Sequence, residues 1–516
     1  MAVASSILVI IFSSSLCFYL LSNLFKFLDR VWVTPMRIQR LMTSQGIRGP
    51  SCRFIYGSTK EIIKMRNQSM STSMKDLSHD MFSRIQPYFH SWTNTYGNSF
   101  LYWMGPRAQL LISEAELIRE ILTNRDKIYT KGDFQFYIKK LLGDGIFTSD
   151  GEKWSKMRKL ANYAFHTENL KNMIPDMIAS TVMMLERWKN HQGKEIEVVE
   201  EFRLLTCEVI SRTAFGSSYL QGKKIFDMFT KLTMLITRNS FKHGISKIWK
   251  SRDEIEAEKL ERELENSILD IIKKREDEMM GGEVENYGDD FLGILLRANH
   301  ENDQSKRISL KDVIDECKTL YFAGQETTNV LLSWAVLLLA IHSDWQEKAR
   351  NEVFKILGKQ TPNADGIAKL KIMGMIINET LRLYPPVVGL TRKVDREVKL
   401  GKLTLPADIH VHISTLLLHH DPLTWGEDVH LFKPERFSEG LAKATNDNKA
   451  TYLPFGMGPR ICVGFNFAII EAKIALSMIL QRYSITLSPT YVHSPVQLVT
   501  IRPQHGIQVV LNSLHS

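Results

Sequence analysis

The sequence predicts a mainly α-helical fold with small β-sheets, carried behind one N-terminal transmembrane helix. Three observations predict it. Residues 2–25, AVASSILVIIFSSSLCFYLLSNLF, hold no charged side chain and match the roughly 20 apolar residues that a helix needs to cross a bilayer. Most of the remaining chain repeats its apolar residues with helical periodicity. Strand-like alternation is confined to short pieces such as EVKLGKLTLPADIHVHIS and HGIQVVLN.

The first element reads as a retained anchor. No basic residue precedes the apolar run, and no small-x-small cleavage site follows it before Lys26, as a removable leader would require. Lys26, Arg30, Arg37, Arg40 and Arg48 follow, which places the downstream chain in the cytosol. The stretch GIRGPSCRFIYG (46–57) is punctuated by Gly and Pro and reads as a hinge. The expected division is a membrane anchor over 1–28, a basic linker and hinge over 29–57, and one catalytic domain over 58–516. With 516 residues, 44% of them hydrophobic, the chain can bury a large core. The five cysteines, Cys17, Cys52, Cys207, Cys317 and Cys462, are odd in number and irregularly spaced, which argues against a disulfide framework or a zinc site. A net charge of +9 comes with no nucleic-acid motif, so it fits a membrane surface or an acidic protein partner.

Four stretches carry chemistry. FGMGPRICVG (455–464) sets Cys462 among three glycines ahead of a helix-like apolar run. A thiolate there is a soft ligand for iron, and the first amides of the helix would help hold it as an anion. A surface turn with an incidental cysteine is the alternative. SLKDVIDECKTLYFAGQETTNVLLSWAVLLLAIHS (309–343) opens on a Ser309–Asp312 cap and predicts a helix of about 30 residues. At its middle Gly324, Glu326, Thr327 and Thr328 set an acid beside an alcohol in apolar surroundings, or else form a solvated kink. In IINETLRLYPP (376–386), Glu379 and Arg382 share a helical face, and Arg436 of FKPERF is placed to join them. In DGEKWSKMRKLANYAF (150–165), Trp154 and Arg158 lie four apart, two donors suited to a carboxylate or simply a half-buried Trp beside a surface Arg.

Taken together, FGMGPRICVG, AGQET, ETLR, PERF and WSKMR resemble the cytochrome P450 family, in that family's order and spacing, over essentially the whole chain after the anchor. The resemblance implies a single domain with the cytochrome P450 fold and a haem b cofactor. It makes Cys462 the axial iron ligand and Trp154, Arg158, Arg392 and Arg460 the partners of the haem propionates. Glu326 and Thr327 become the acid–alcohol pair that manages protons during oxygen activation, with Gly324 loosening the helix there. Glu379, Arg382 and Arg436 become a structural network behind the cysteine loop. Pocket positions carried over from the family are Phe134, Phe136, Ile146, Phe147, Tyr321, Phe322, Val387, Val388, Leu390 and Val499, whose plain alternative is core packing.

QGIRGPSCRFIYG, HSWTNTYGNSFLYWMG and ANYAFHTENLKNMIP look like a plant clan that includes secologanin synthase, triterpenoid oxidases and cytokinin hydroxylases. Residues 234–252 depart from that clan's pattern and would border the access channel. The implied function is a microsomal monooxygenase of the endoplasmic reticulum, single-pass, with its catalytic domain cytosolic. It would insert one atom of O2 into a lipophilic molecule, an isoprenoid (terpenoid) or related hormone. No dinucleotide fingerprint is present, so NADPH electrons would arrive through NADPH–cytochrome P450 reductase, with cytochrome b5 as a further candidate partner. Two other classes stay open: a haem-thiolate isomerase or dehydratase acting on peroxides without a donor, and a non-catalytic haem-binding membrane protein.

Overall fold

Helical periodicity resolves into one continuous helix, Leu310–Ile341, against which much of the molecule packs. It starts as the sequence predicts: Ser309 Oγ accepts from the Asp312 amide at 3.1 Å, and Asp312 Oδ2 accepts from the Ser309 amide at 2.9 Å. The computed structural model describes residues 2–74, 76–124, 126–132, 136–239, 250–282 and 286–514. Phe134, and 240–249 of the divergent 234–252 stretch, lie outside the described residues.

Ala2–Leu28 forms an apolar, exposed helix of 27 residues, about 40 Å at 1.5 Å per residue. It begins the one stretch among the described residues that is long and apolar enough to cross a membrane. The linker after it is more ordered than a hinge. A π-helical turn, Asp29–Val33, leads into the helix Thr34–Ser44, where Pro35 occupies a first-turn position that needs no amide donor. Met42 on that helix is fully buried in a core cluster with Leu101 and Trp103, so only residues 45–58 remain irregular before the helix Thr59–Met70.

Strands cluster at one sheet of five, in the order Phe100–Met104, Arg107–Leu111, His410–Ser414, Gly389–Val394, Tyr129–Thr130. All neighbours are antiparallel except Arg107–Leu111 with His410–Ser414. The alternating stretch at 397–414 supplies Val398–Leu400, Leu403–Leu405 and His410–Ser414, as its period of two requires. Gln508–Ser513 pairs with both Glu195–Glu197 and Tyr483–Leu487. Pro495–Gln497 pairs with Ile501–Pro503, and the helices enclose the larger of the two apolar cores among the described residues.

Gly324 has a packing role that differs from the expected loosening. The helix is unbroken there, and a Cβ on Gly324 would come within 2.6 Å of Ile210 Cδ1 on the helix Val198–Phe215. The missing side chain lets the two helices cross closely.

A group of histidines packs beside the long helix. His79 Nδ1 is 2.7 Å from the Tyr384 hydroxyl, and Tyr384 stacks on Trp334 with ring centroids 4.2 Å apart. His493 faces Trp334 and Tyr384, and His342 faces His79 and Phe432. His420 and His430 contact each other at 5.4 Å. Burial holds these rings neutral, pushing His79 down to about 3 and His493 to about 4 and lowering His342, His420 and His430 as well. The Arg382 and Arg84 cations nearby push the same way, whereas Asp344 beside His342 and Asp80 beside His430 oppose it.

Because these histidines bind protons less readily when folded, the unfolded chain takes up more protons on acidification. Stability is therefore full above the ordinary histidine value of about 6.5 and is lost as pH falls from there toward 4. The unfolding midpoint followed by tryptophan fluorescence should decline across that interval. A midpoint that is flat between these values would contradict a cluster of neutral rings.

Candidate active site

The cysteine loop is built by close backbone approach. Residues 458–460 form a 3-10 turn, and Gly458 has φ of +73° with room for no side chain, since a Cβ would lie 2.3 Å from the Leu122 carbonyl oxygen. The Cys462 amide donates to the Phe455 carbonyl at 2.8 Å, closing the loop ahead of the helix Phe465–Leu480. The Cys462 side chain is accessible. Its enclosure by protein pushes the thiol up, while the Gly464 amide and the Arg158 guanidinium favour the thiolate.

The helix Gly151–Ala164 delivers Trp154 and Arg158 to this loop. Arg158 donates to the Ile461 carbonyl, and Arg460 stacks over the Trp154 ring at 4.3 Å. Arg460 also donates to the Ser149 carbonyl at 2.8 Å and pairs with Asp150. The sheet brings in two further cations. Strand Gly389–Val394 carries Arg392, which is buried, and its partner Tyr129–Thr130 places Lys131 alongside. The Lys131 amide donates to Asp150 Oδ2 at 2.6 Å, and its ammonium lies 4.3 Å from the centre of the Phe147 ring. Burial lowers Lys131 well below its ordinary value and Arg392 to about 10, and each is lowered further by Arg460, with only Asp150 opposing. Lys131, Arg392 and Arg460 thus gather positive charge at one place beside the cysteine loop.

On the long helix, Ala323 is exposed and Gly324 and Thr327 are half-buried, although the turns on either side are buried. An uncovered stripe of small residues in the middle of a core helix marks an interior opening. Thr327 Oγ1 donates to the Ala323 carbonyl at 2.8 Å. Glu326 turns aside from that stripe. It is 1% exposed, with Oε1 accepting from the Thr500 hydroxyl and from Arg502 Nε at 2.6 Å, and Oε2 accepting from Arg502 Nη2. The turn before strand Ile501–Pro503 holds Val499 here, and the Ile501 amide bonds to the Pro386 carbonyl at 3.2 Å, drawing in Val387, Val388 and Leu390.

The expected pocket residues divide. Val387, Leu390 and Val499 are half-buried, Val388 is nearly buried, and Phe147 is 42% exposed. Phe136 and Ile146 are half-buried, and Phe136 begins the helix Phe136–Leu142. Phe322 packs against Phe229 at 5.7 Å. Tyr321 is a correction: it is fully buried and stacks on Phe215 at 3.7 Å, on the side facing the helix Val198–Phe215. Two residues on a helix separate by about 200° around the axis, so Tyr321 points away from Ala323.

Behind the loop, Glu379 and Arg382 are both completely buried. Arg382 Nε and Nη2 bond the two carboxylate oxygens at 2.8 Å each, and Nη1 donates to the His419 carbonyl at 2.9 Å. Glu379 Oε1 also accepts from the Lys433 amide at 3.0 Å. Arg436 approaches that oxygen at 3.5 Å and is otherwise spent on Asp428 and the Trp425 carbonyl. His419 Nε2 in turn accepts from the Leu453 amide at 2.9 Å, at the entry to the cysteine loop.

The sequence reading missed Lys131, Asp150, Thr500, Arg502 and His419. Asp150 reads in sequence as a helix cap, and the other four stand far along the chain from the motif residues they serve.

The residues present fit an iron porphyrin: a sulfur donor on a loop, a cation cluster suited to two carboxylates, and a helix stripe stripped of bulk. Comparison with known proteins agrees. The family profile of cytochrome P450 matches residues 66–510. The chain is 60% identical to cytochrome P450 CYP749A22 of Panax ginseng over 505 residues, 97% of this chain and 96% of that protein. It is 40% identical to 11-oxo-beta-amyrin 30-oxidase of Glycyrrhiza uralensis over 499 residues, 94% of each. It is also 40% identical to secologanin synthase 1 of Catharanthus roseus over 502 residues, 95% of each. The protein belongs to the cytochrome P450 family and is an oxidoreductase of the monooxygenase class.

Removing one side of the buried ion pair strands the other charge. Arg382→Ala should lower the unfolding free energy by about 3–5 kcal/mol and reduce the haem recovered per protein. Denaturant unfolding together with haem quantification checks this, and a stability within experimental error of the unsubstituted protein would contradict it.

Proposed function

We propose that the protein is a membrane-anchored haem-thiolate monooxygenase that oxidises a lipophilic isoprenoid or a related plant hormone. The observation that carries this reading is the uncovered stripe at Ala323, Gly324 and Thr327 with Glu326 beside it, an alcohol and an acid at the middle of a buried helix. When bound, the haem supplies the reductive activation of O2. Cys462 would hold its iron, and Arg392, Arg460, Arg158, Trp154 and Lys131 would hold its carboxylates.

The protein's own residues then have three tasks. Val387, Val388, Leu390, Val499, Phe322, Phe136 and Phe147 offer an apolar surface that favours a substrate without formal charge and excludes bulk water. Thr327 can turn its hydroxyl from the Ala323 carbonyl toward the opening, where it donates or accepts a hydrogen bond. Glu326 can pass a proton inward to that hydroxyl, as a positioned general acid does. A peroxide isomerase that takes no electrons would have no task for this pair.

The relatives support the substrate class, two of them being named for a β-amyrin derivative and for secologanin. Ala2–Leu28 supports anchorage in the endoplasmic reticulum with the catalytic domain in the cytosol. Electrons would come from NADPH through its cytochrome P450 reductase, with cytochrome b5 as an accessory donor, and the excess of cationic residues suits an acidic docking face.

Microsomes carrying the protein and the reductase should convert a plant terpenoid to a product holding one atom from isotopically labelled O2, and only with NADPH. Consumption of a lipid hydroperoxide without NADPH and without incorporation of label would establish the isomerase reading instead.

A further inference from the structure

Glu326 is the acid that the proposed reaction uses, yet its carboxylate is fully engaged. Both oxygens are bound by Arg502, one of them also by Thr500, and the side chain is 1% exposed. The Thr327 hydroxyl is likewise turned onto the Ala323 carbonyl. Neither member of the pair offers a proton to the opening in this arrangement. A forked guanidinium on both carboxylate oxygens also fixes orientation, because a single rotation cannot keep both bonds.

The strand that carries Arg502 is anchored. The Trp334 indole donates to the Ile501 carbonyl at 3.0 Å, the Ile501 amide bonds to Pro386, and Arg502 pairs across the strand with Val496. Any separation of the pair therefore falls to the side chains rather than to the backbone. The two partners are also unequal in their surroundings. The Arg502 side chain is 27% exposed and Glu326 is 1% exposed, so Arg502 can be hydrated when it lets go, and water reaching it is positioned to meet the carboxylate.

From this geometry we propose that Arg502, assisted by Thr500, is a positioning residue that latches Glu326 away from the opening and times its proton delivery. This rests on the monooxygenase reading above. In the latched state Glu326 is held by Arg502. On release the carboxylate takes one proton relayed from bulk solvent through water beside Arg502, that water being reprotonated in turn, rotates toward Thr327, gives the proton to the threonine hydroxyl as the hydroxyl passes its own inward, and returns to the guanidinium. One proton enters and one leaves per cycle, and no oxidant or reductant is needed for the step.

The test uses the full-length haem-loaded protein with its reductase. Its first readout is independent of turnover: the infrared stretch of carbon monoxide bound to the reduced protein, which senses polar groups in the opening. Arg502→Gln should add a shifted component as Glu326 swings in, and the double variant Glu326→Gln/Arg502→Gln should lose it. The second readout is NADPH oxidation without substrate. Arg502→Gln should raise the share of electrons released as hydrogen peroxide severalfold. Arg502→Lys, which keeps the charge and loses the fork, should raise it less, and Thr500→Val should shift it in the same direction.

If Arg502→Gln does not load haem, the Arg502→Lys and Thr500→Val proteins carry the same comparison. A carbon monoxide band and peroxide yield identical to the unsubstituted protein in these variants would overturn the latch. The relay reading fails separately: it falls if Glu326→Gln alone changes neither NADPH oxidation nor peroxide yield. If Glu326→Gln changes them while the Arg502 and Thr500 variants do not, the relay stands and the latch is wrong.

Discussion

The buried ion pair of Glu379 and Arg382 is the constraint on which the rest of the structure depends. Two charges taken fully out of water are tolerable only when every donor and acceptor is satisfied. That demand reaches across the chain. Arg382 claims the carbonyl of His419, Glu379 claims the amide of Lys433, and Arg436 closes the group onto Asp428 and Trp425. The ring of His419 then holds the Leu453 amide, and the Tyr452 hydroxyl donates to the Asn378 carbonyl at 2.9 Å. The segment that leads into Cys462 is thus tied to the helix Lys371–Leu383 by neutral hydrogen bonds that start from the residues gathered around the buried pair. Position of the sulfur follows from charge satisfaction some distance away.

Electrostatics divides the molecule into two regimes. Beside the ion pair, histidines are kept neutral and serve as polar packing pieces next to Arg382 and Arg84. Near Cys462 the reverse holds: Lys131, Arg392 and Arg460 stay close despite mutual repulsion, with Asp150 the carboxylate that opposes it. In the first regime the charges are paired with one another, Arg382 with Glu379 and Arg436 with Asp428. The second would suit a porphyrin bearing two carboxylates beside a thiolate ligand.

The sequence disclosed those features that depend on local spacing. The N-terminal helix is set by an unbroken apolar run, and the capped long helix, the strands of residues 397–414 and 508–513, and the Glu379–Arg382 face are set by periods of two or 3.6 residues and by end signals. Partners separated by long stretches of chain were not legible. Arg502 stands 176 positions from Glu326, and a lone arginine in an apolar strand does not announce which acid it meets. Helix periodicity alone does turn Tyr321 from Ala323, so its placement with the pocket came from family position rather than from geometry. The hinge over 46–57 lies in chain without regular structure, whereas the helix Thr34–Ser44 within the basic linker is fixed by Met42 finding a core that local spacing does not announce.

The proposed chemistry turns on Cys462 supplying a thiolate to haem iron. The most direct measurement is the absorbance difference spectrum of the reduced protein with carbon monoxide, taken for the unsubstituted protein and for Cys462→Ser. A thiolate-ligated haem gives the strongly red-shifted Soret band from which the family takes its name, and that band is expected in the unsubstituted protein, with complete loss in Cys462→Ser. The same change at Cys17, Cys52, Cys207 or Cys317 should leave it in place. An unshifted band in the unsubstituted protein, or a shifted one that survives Cys462→Ser, would contradict thiolate ligation by Cys462.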